Sequence, residues 1–239
     1  MNGEVEMRIL VIGSCGKKKQ TQSPDEPSCT DLTSPDSLEV WQKRLSSLTV
    51  RAREMYTGNQ SRELTRGVDL LRKIDGVHVT YVIISAGFGL VAEDEMVPPY
   101  DCSFSGMKKM YILHRSRQLG IGKRVVTISQ QGFDLAYLAL GKNYLTALGS
   151  GWEKNILNTI VAFEKGLIGS KYAIIPSGNK AVKSFSNSGY KIHGAAGFKG
   201  DLLRILAEHA LSSDDSYGEV LSWKEPSHLR NLIFSMGHL

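Results

Sequence analysis

Several residue patterns that define special classes of protein are scarce or missing in this 239-residue chain. Cysteine is rare: Cys15, Cys29 and Cys102 have no CxxC spacing and an odd count. That argues for reduced thiols and against a disulfide frame or a Cys/His zinc site, so no metal and no cofactor is expected. No run approaches the roughly 20 apolar residues of a membrane span, and no membrane partner is expected. The opening MNGEVEMRILVIGS lacks the basic start and small-residue cleavage site of a signal peptide, which leads to the expectation of a cytoplasmic protein. There is no internal repeat. Acid is in deficit: the net charge is +5 and the pI about 9.0, a balance that suits a polyanionic partner such as DNA.

What remains is ordinary globular composition, 41% apolar, with length for a sizeable core. Residues 79–104, VTYVIISAGFGLVAEDEMVPPYDCSF, organise the reading. They open as a buried β-branched strand and break at Ser85-Ala86-Gly87-Phe88-Gly89, where two glycines permit tight turns. The acids Glu93, Asp94 and Glu95 follow, then Pro98-Pro99-Tyr100-Asp101, a stiff segment that cannot be helix. This is either a site beyond a strand end or a long connection with solvated acids.

Residues 7–12 read as the first strand. The turn after it, Gly13-Ser14-Cys15-Gly16-Lys17-Lys18-Lys19, combines free backbone N–H groups with three lysines, as an anion site does. The P-loop spacing is absent. Cys15 is read either as a nucleophile beside those lysines or as a small buried thiol. Residues 21–37 form a polar loop. Helices are expected over 37–55, 60–74, 105–120, 152–166 and 201–211, with a buried helix or turn region over 132–148; strands are expected over 124–129 and 171–176. The helix over 105–120 is strongly basic. The result is an α/β domain over residues 1–211, a mostly parallel sheet of about four strands with helices on both faces, and a C-terminal extension over 212–239. Turns at Ser14, Ser85, Ser129 and Ser177 are expected to gather at one sheet edge.

Five segments carry a resemblance. SAGFGLVAEDEMVPPYD resembles the signature of the YaaA-type peroxide-stress proteins and, more strongly, of a related group of bacterial and phage domains. Ser14-Cys15-Gly16-Lys17-Lys18 resembles that group's opening motif, and AREMYTG over residues 52–58, with Tyr56, its alanine-x-x-x-tyrosine-x-glycine phrase. Ser177-Gly178-Asn179-Lys180 and Lys199-Gly200 resemble later motifs, although Ala196 stands where the YaaA-type pattern carries a second basic residue. The resemblance spans about residues 7–210. It implies an α/β fold that binds DNA and is connected with DNA damage, similar at fold level to uracil-DNA-glycosylase-like enzymes.

The leading expectation is therefore a DNA N-glycosylase releasing a nucleobase; the alternatives are a non-catalytic DNA-binding protein and an enzyme on free nucleosides or nucleotides. Glycosidic cleavage needs a carboxylate near the anomeric carbon, an aromatic against an extruded base and cations for flanking phosphates. Asp101, held by the preceding prolines, ranks first as the carboxylate and Asp94 second. Phe88 or Tyr100 stacks. Ser14, Cys15, Lys17, Lys18, Tyr56, Ser85, Gly87, Ser177, Asn179 and Lys199 line the substrate site. His193 supplies a proton or is a satisfied structural histidine.

Overall fold

In the computed structural model, which describes residues 6–34 and 36–239, β1 (Met7–Ser14) runs through the middle of the sheet. After it come α1 (Ser37–Arg44), the short β2 (Val50–Arg51), α2 (Ala52–Met55) and α3 (Asn59–Leu71). β3 (Val77–Ser85) turns into the antiparallel β4 (Gly89–Ala92), and β5 (Met96–Val97) pairs with β2. Then follow α4 (Lys109–Gln118), α5 (Ile121–Ser129), β6 (Phe133–Leu138), α6 (Lys142–Leu148), β7 (Ile156–Ala162), β8 (Tyr172–Ile174), α7 (Asn179–Asn187), α8 (Gly194–Ser212), α9 (Ser216–Ser222) and α10 (Pro226–Gly237).

The main sheet has six strands in the order β4-β3-β1-β6-β7-β8. All neighbours are parallel except β3 and β4. The α/β class expected from sequence holds, with more strands than expected. From β1 the chain moves to β3 on one side and then returns past β1 to β6 on the other. Right-handed crossovers then put α3 on one face and α4, α5 and α6 on the opposite face. The reversal leaves a crevice beyond the C-terminal ends of β1 and β6, where open α/β sheets hold ligands.

Local assignments differ from the sequence reading at several places, and the helix expected over 37–55 is interrupted, ending at Arg44 before β2 and the short α2. Residues 124–129, expected as a strand for their β-branched run, lie in α5, whose Ile121, Val125 and Ser129 point inward at helical spacing. Residues 133–138, expected within a buried helix or turn region, and 156–162, expected as helix, are β6 and β7. Every residue of β6 is buried, so the alternation that marks a half-exposed strand is missing. Ser129 therefore ends a helix, at the opposite edge from Ser14 and Ser85. Residues 212–239 carry α9, which packs on α8, and α10, which packs on β7 and β8. Trp223 is buried, Thr159 Oγ1 donates to the Lys224 carbonyl at 2.7 Å, and Lys224 Nζ pairs with Asp134 at 2.9 Å.

The closest helix pair is α3 and α8. A Cβ on Gly200 would overlap the Gln60 carbonyl oxygen, and one on Gly67 would come within 2.9 Å of the Arg204 backbone nitrogen. Residue 60 thus meets 200 and residue 67 meets 204, so the helices run parallel with both N-termini at the same end. Leu203, whose side chain would lie 2.9 Å from a Cβ on Gly67, fills the seam and is almost fully buried; it contributes about 1.5–3 kcal/mol by leaving water.

Candidate functional site: a cleft between two helix N-termini

The N-termini of α3 and α8 open onto a cleft of about 360 Å³ beyond the end of β1. Ser14, Cys15 and Lys18 line it from the first turn, Asn59, Gln60 and Arg62 from α3, and His193 and Gly197 from α8. Gln60 Nε2 donates to the Ala139 carbonyl at 3.1 Å and to Ser14 Oγ at 3.4 Å, tying α3 to the ends of β6 and β1. Neither helix has a side-chain cap at its N-terminus. Free N–H groups and two positive dipole ends therefore face the cleft, a combination suited to an anion.

His193 is the titratable group with a fixed orientation here. The chain folds back along α8 through Gly194 (φ 74°), placing His193 beside Gly197 and Asp201. His193 Nδ1 lies 2.7 Å from Asp201 Oδ1, and its backbone N–H donates to Asp201 Oδ2 at 2.8 Å. Asp201 is wholly buried. With Nδ1 held by the carboxylate, Nε2 is the ring nitrogen available to a ligand. Glu63 stands nearby: donor atoms of Glu63, His193 and Asp201 lie within 4.8 Å of one another, a spacing that could meet a metal ion. Glu63 already has a cation, Arg204 Nε at 2.6 Å, and Arg204 also reaches Glu208 and the Lys191 carbonyl. This trio suits the orientation of His193 better than the capture of an ion.

Several residues expected to touch substrate are instead buried beneath the site. Ser85 Oγ accepts the N–H groups of Gly87 and Phe88 and donates to Tyr100 Oη at 2.8 Å; Tyr56 Oη lies 2.8 Å from Tyr100 Oη. Phe88 packs edge-on against Tyr100 and is 3% exposed. A Cβ on Gly87 would strike the Tyr100 ring at 2.8 Å. Arg115 binds the carbonyls of Ala86, Cys29 and Leu32 from below. This network holds the strand end rigid and offers no free ring face to a base. Burial drives the phenols of Tyr56 and Tyr100 well above their ordinary pKa.

The acids are also placed differently. Glu93 pairs with Arg53 at 2.9 Å and with Arg72, and Glu95 accepts the Ala92 N–H. Asp94 is exposed beside these arginines, at the level of mid-β3 and away from the cleft. Asp101 is exposed, with its N–H on the Pro27 carbonyl at 2.8 Å, and is not among the cleft residues. It faces Lys19 instead. Lys19 is half-buried with Nζ 4.4 Å from the Tyr100 ring. Burial lowers its pKa, while Cys15, Glu26 and Asp101 oppose the shift.

Of the remaining expected residues, Lys17 and Lys18 are exposed and Cys15 is buried, its Sγ 3.1 Å from Tyr144 Oη. Ser177 lines a second cavity past β8, Asn179 begins α7, and Lys199 lies over Phe163. Cys29 and Cys102 form a disulfide across 73 residues, which corrects the expectation of three free thiols. An odd count leaves room for one pair, and nothing in the spacing reveals it. The sequence reading missed Gln60, Arg62 and Asp201. A signal existed for Asp201: with Arg204, Glu208 and His209 it puts polar side chains into a largely apolar helix, DLLRILAEHAL.

No protein-family model matches the chain, and no curated protein matches it. Among the described residues, no helix is long and apolar enough to cross a membrane.

Proposed function

We propose that the protein is a DNA-acting hydrolase that releases a nucleobase, a DNA N-glycosylase. The observation that carries this reading is His193, aligned by buried Asp201 at a cleft onto which two helix N-termini open. A nucleotide phosphate sits against those N-termini and between Lys18 and Arg62. His193 Nε2 takes a proton from the water that attacks C1′. The C1′–N bond breaks and its electron pair leaves with the base, which takes a proton from solvent, while His193 returns to solvent the proton it took from the water. Positive charge developing at the sugar is answered by the bound phosphate, and Asp201 balances the imidazolium that forms at His193. In this reading the water-activating role first given to Asp101 and Asp94 falls to His193, with Asp201 as its positioning partner.

Support for a polymer comes from the lysines. Exposed Lys17 and Lys18 follow β1, Lys142 follows β6, Lys165 follows β7 and Lys180 follows β8. Lys108 and Lys109 join them: Asn143 Nδ2 donates to the Phe104 carbonyl at 2.8 Å, holding their loop beside α6. The cations thus share the rim that carries the cleft, as phosphate-tracking surfaces require. A second reading, an enzyme on a free nucleotide, is favoured by the cleft volume of about 360 Å³, room for a single unit. With DNA as the substrate we read the protein as cytoplasmic, and its Cys29–Cys102 bond would face a reducing glutathione pool.

The test is incubation of the purified protein with unmodified and phage-modified DNAs and, separately, with free nucleotides. Free base is measured by chromatography and abasic sites by strand breakage in hot alkali. Base released from DNA supports the proposal, and base released from nucleotides alone selects the second reading. Binding without release from any substrate overturns both in favour of a non-catalytic binder.

A further inference from the structure

The largest cavity described, about 860 Å³, has no part in the chemistry above. It lies past the ends of β7 and β8, with apolar walls from Ile174, Ile175 and Pro176. Phe234 contributes a half-exposed ring, with the Arg230 guanidinium 4.3 Å from its centroid. Lys165 and Lys180 are exposed on its rim. Among the described residues, neither these lysines nor Arg230 forms an ion pair, so their charge is free for a ligand. Glu164 is the lone acid of the lining.

One cavity that joins an aromatic-apolar wall to unpaired cations fits a ligand that is planar and apolar at one end and anionic at the other. A nucleotide has that form, with its base stacked and its phosphate paired. The cavity's position agrees. The first turn of α8 lines the catalytic cleft through Ala196 and Gly197. Lys199, on the same stretch of helix, holds its Nζ 5.7 Å from the ring of Phe163, which lines the second cavity. The two hollows therefore flank one end of α8, along the same sheet edge.

We propose that this cavity is a second nucleotide subsite, which holds a residue of the single strand flanking the one seated in the cleft. It rests on the proposed action on DNA and gives that action a path: the strand runs from β1, in the middle of the sheet, toward β8 at its edge. Stacking tolerates any base, so the subsite adds affinity and reach without sequence preference.

The experiment is equilibrium binding of fluorescent oligodeoxythymidylates, from the mononucleotide upward, to the full chain and to Lys180→Ala/Arg230→Ala. Both side chains are exposed, so the variant is expected to fold, and its thermal midpoint is checked first. In the unaltered protein, affinity should rise with length until both hollows are spanned. The variant should keep mononucleotide affinity within about twofold and lose roughly tenfold or more for the longer strands. Its log K against log salt should flatten by about 1.4 for two lost phosphate contacts. An unchanged rise with length in the folded variant overturns the subsite. Failure of the catalytic reading looks different: the length-dependent gain is lost in the variant, yet no substrate yields free base.

Discussion

His193 Nδ1 and Asp201 Oδ1 are 2.7 Å apart, and the second oxygen of the same carboxylate accepts the His193 backbone N–H at 2.8 Å. One buried acid thereby fixes both the ring and the main chain of the residue that faces the cleft. A merely structural histidine needs neither an exposed edge nor a carboxylate shut off from solvent, and the side chain of His193 remains 23% exposed while Asp201 is fully covered. General acid–base groups contribute about 10²–10⁴ in rate. His193→Ala and Asp201→Asn should each lower base release by roughly that factor while DNA affinity stays within about twofold. Asp201 acts by positioning, so its variant should also shift the pH–rate profile. Full activity in His193→Ala would remove it from the chemistry.

The cleft depends on the approach of α3 and α8. In Gly200→Ala the new Cβ meets backbone, which cannot swing aside as a flexible side chain can, since it would lie 3.0 Å from Gln60 Cα and overlap its carbonyl oxygen. Overpacking of this kind costs about 1–3 kcal/mol, and the helix N-termini should separate. The expected result is a lower thermal midpoint together with weakened anion binding. Gly166→Ala, where a Cβ meets nothing within 4 Å, is the control and should change stability little.

How much of this was readable from sequence differs by element. β1, β3 and α3 announced themselves because each has one pattern, a β-branched run or a stripe such as Leu64, Val68 and Leu71 at helical spacing. β6 did not, because a strand buried on both faces looks like a buried helix in periodicity. The turn after β1 was legible as part of a site at a strand end, and Ser14, Cys15, Gly16 and Lys18 do line the cleft. The loop around Ser85 and Tyr100 was legible as important but not as buried, since hydroxyls and aromatics serve a substrate and a core network equally well. The His193–Asp201 pair was beyond reach because it depends on the chain doubling back at Gly194.

The three lysines of the first turn should separate by role. Lys17 and Lys18 are exposed, whereas Lys19 is half-buried over Tyr100. Lys17→Ala/Lys18→Ala should weaken duplex binding without altering sequence preference. It should also flatten the salt slope by about 1.8, the value for two phosphates. Lys19→Met should leave the slope alone. Burial lowers the Lys19 pKa, so its charge costs stability at neutral pH. That cost vanishes as pH rises through the lowered value toward 10.5. Lys19→Met should therefore match or exceed the parent in thermal midpoint at neutral pH and lose that advantage in alkali. An unchanged salt slope in the double variant would sink the assignment.

The Cys29–Cys102 bond closes a loop of 73 residues in sequence separation. It fastens the segment around Cys29, whose carbonyl Arg115 also holds at 2.7 Å, to the turn after Asp101. In the chain-entropy picture such a loop contributes about 4 kcal/mol by restricting the unfolded state. Reduction, or Cys29→Ser, should lower the denaturant midpoint by a corresponding amount. Thiol alkylation followed by mass measurement counts the free cysteines directly. If the oxidised protein, unfolded before alkylation, takes up label at three positions, the bond is absent in solution.

The last prediction concerns alkali, where the buried phenols set the limit of the fold. Tyr56, Tyr81, Tyr100, Tyr137 and Tyr144 all have pKa values raised above 10.0, with burial as the largest cause. Nearby groups such as Cys15 for Tyr100 and Glu93 for Tyr81 add to the effect. Below pH 10 the folded and unfolded chains both keep these protons, and stability does not depend on pH through them. Above it, the unfolded chain releases protons that the folded chain retains. The fold then loses about 1.4 kcal/mol per pH unit for each tyrosine, or roughly 7 kcal/mol per unit for the set. Lys19 and Lys199, both with lowered pKa, shift stability the other way but have done so by 10.5. Since a domain commonly holds about 5–15 kcal/mol in reserve, the protein should unfold cooperatively within roughly one to two pH units above 10. Phenolate absorbance of the buried set should rise together with the loss of far-ultraviolet circular dichroism. Reversible ionisation of all nine tyrosines with the dichroism intact would show that the Ser85–Tyr100–Tyr56 network is open to solvent, and the case for a rigid floor beneath the cleft would fall with it.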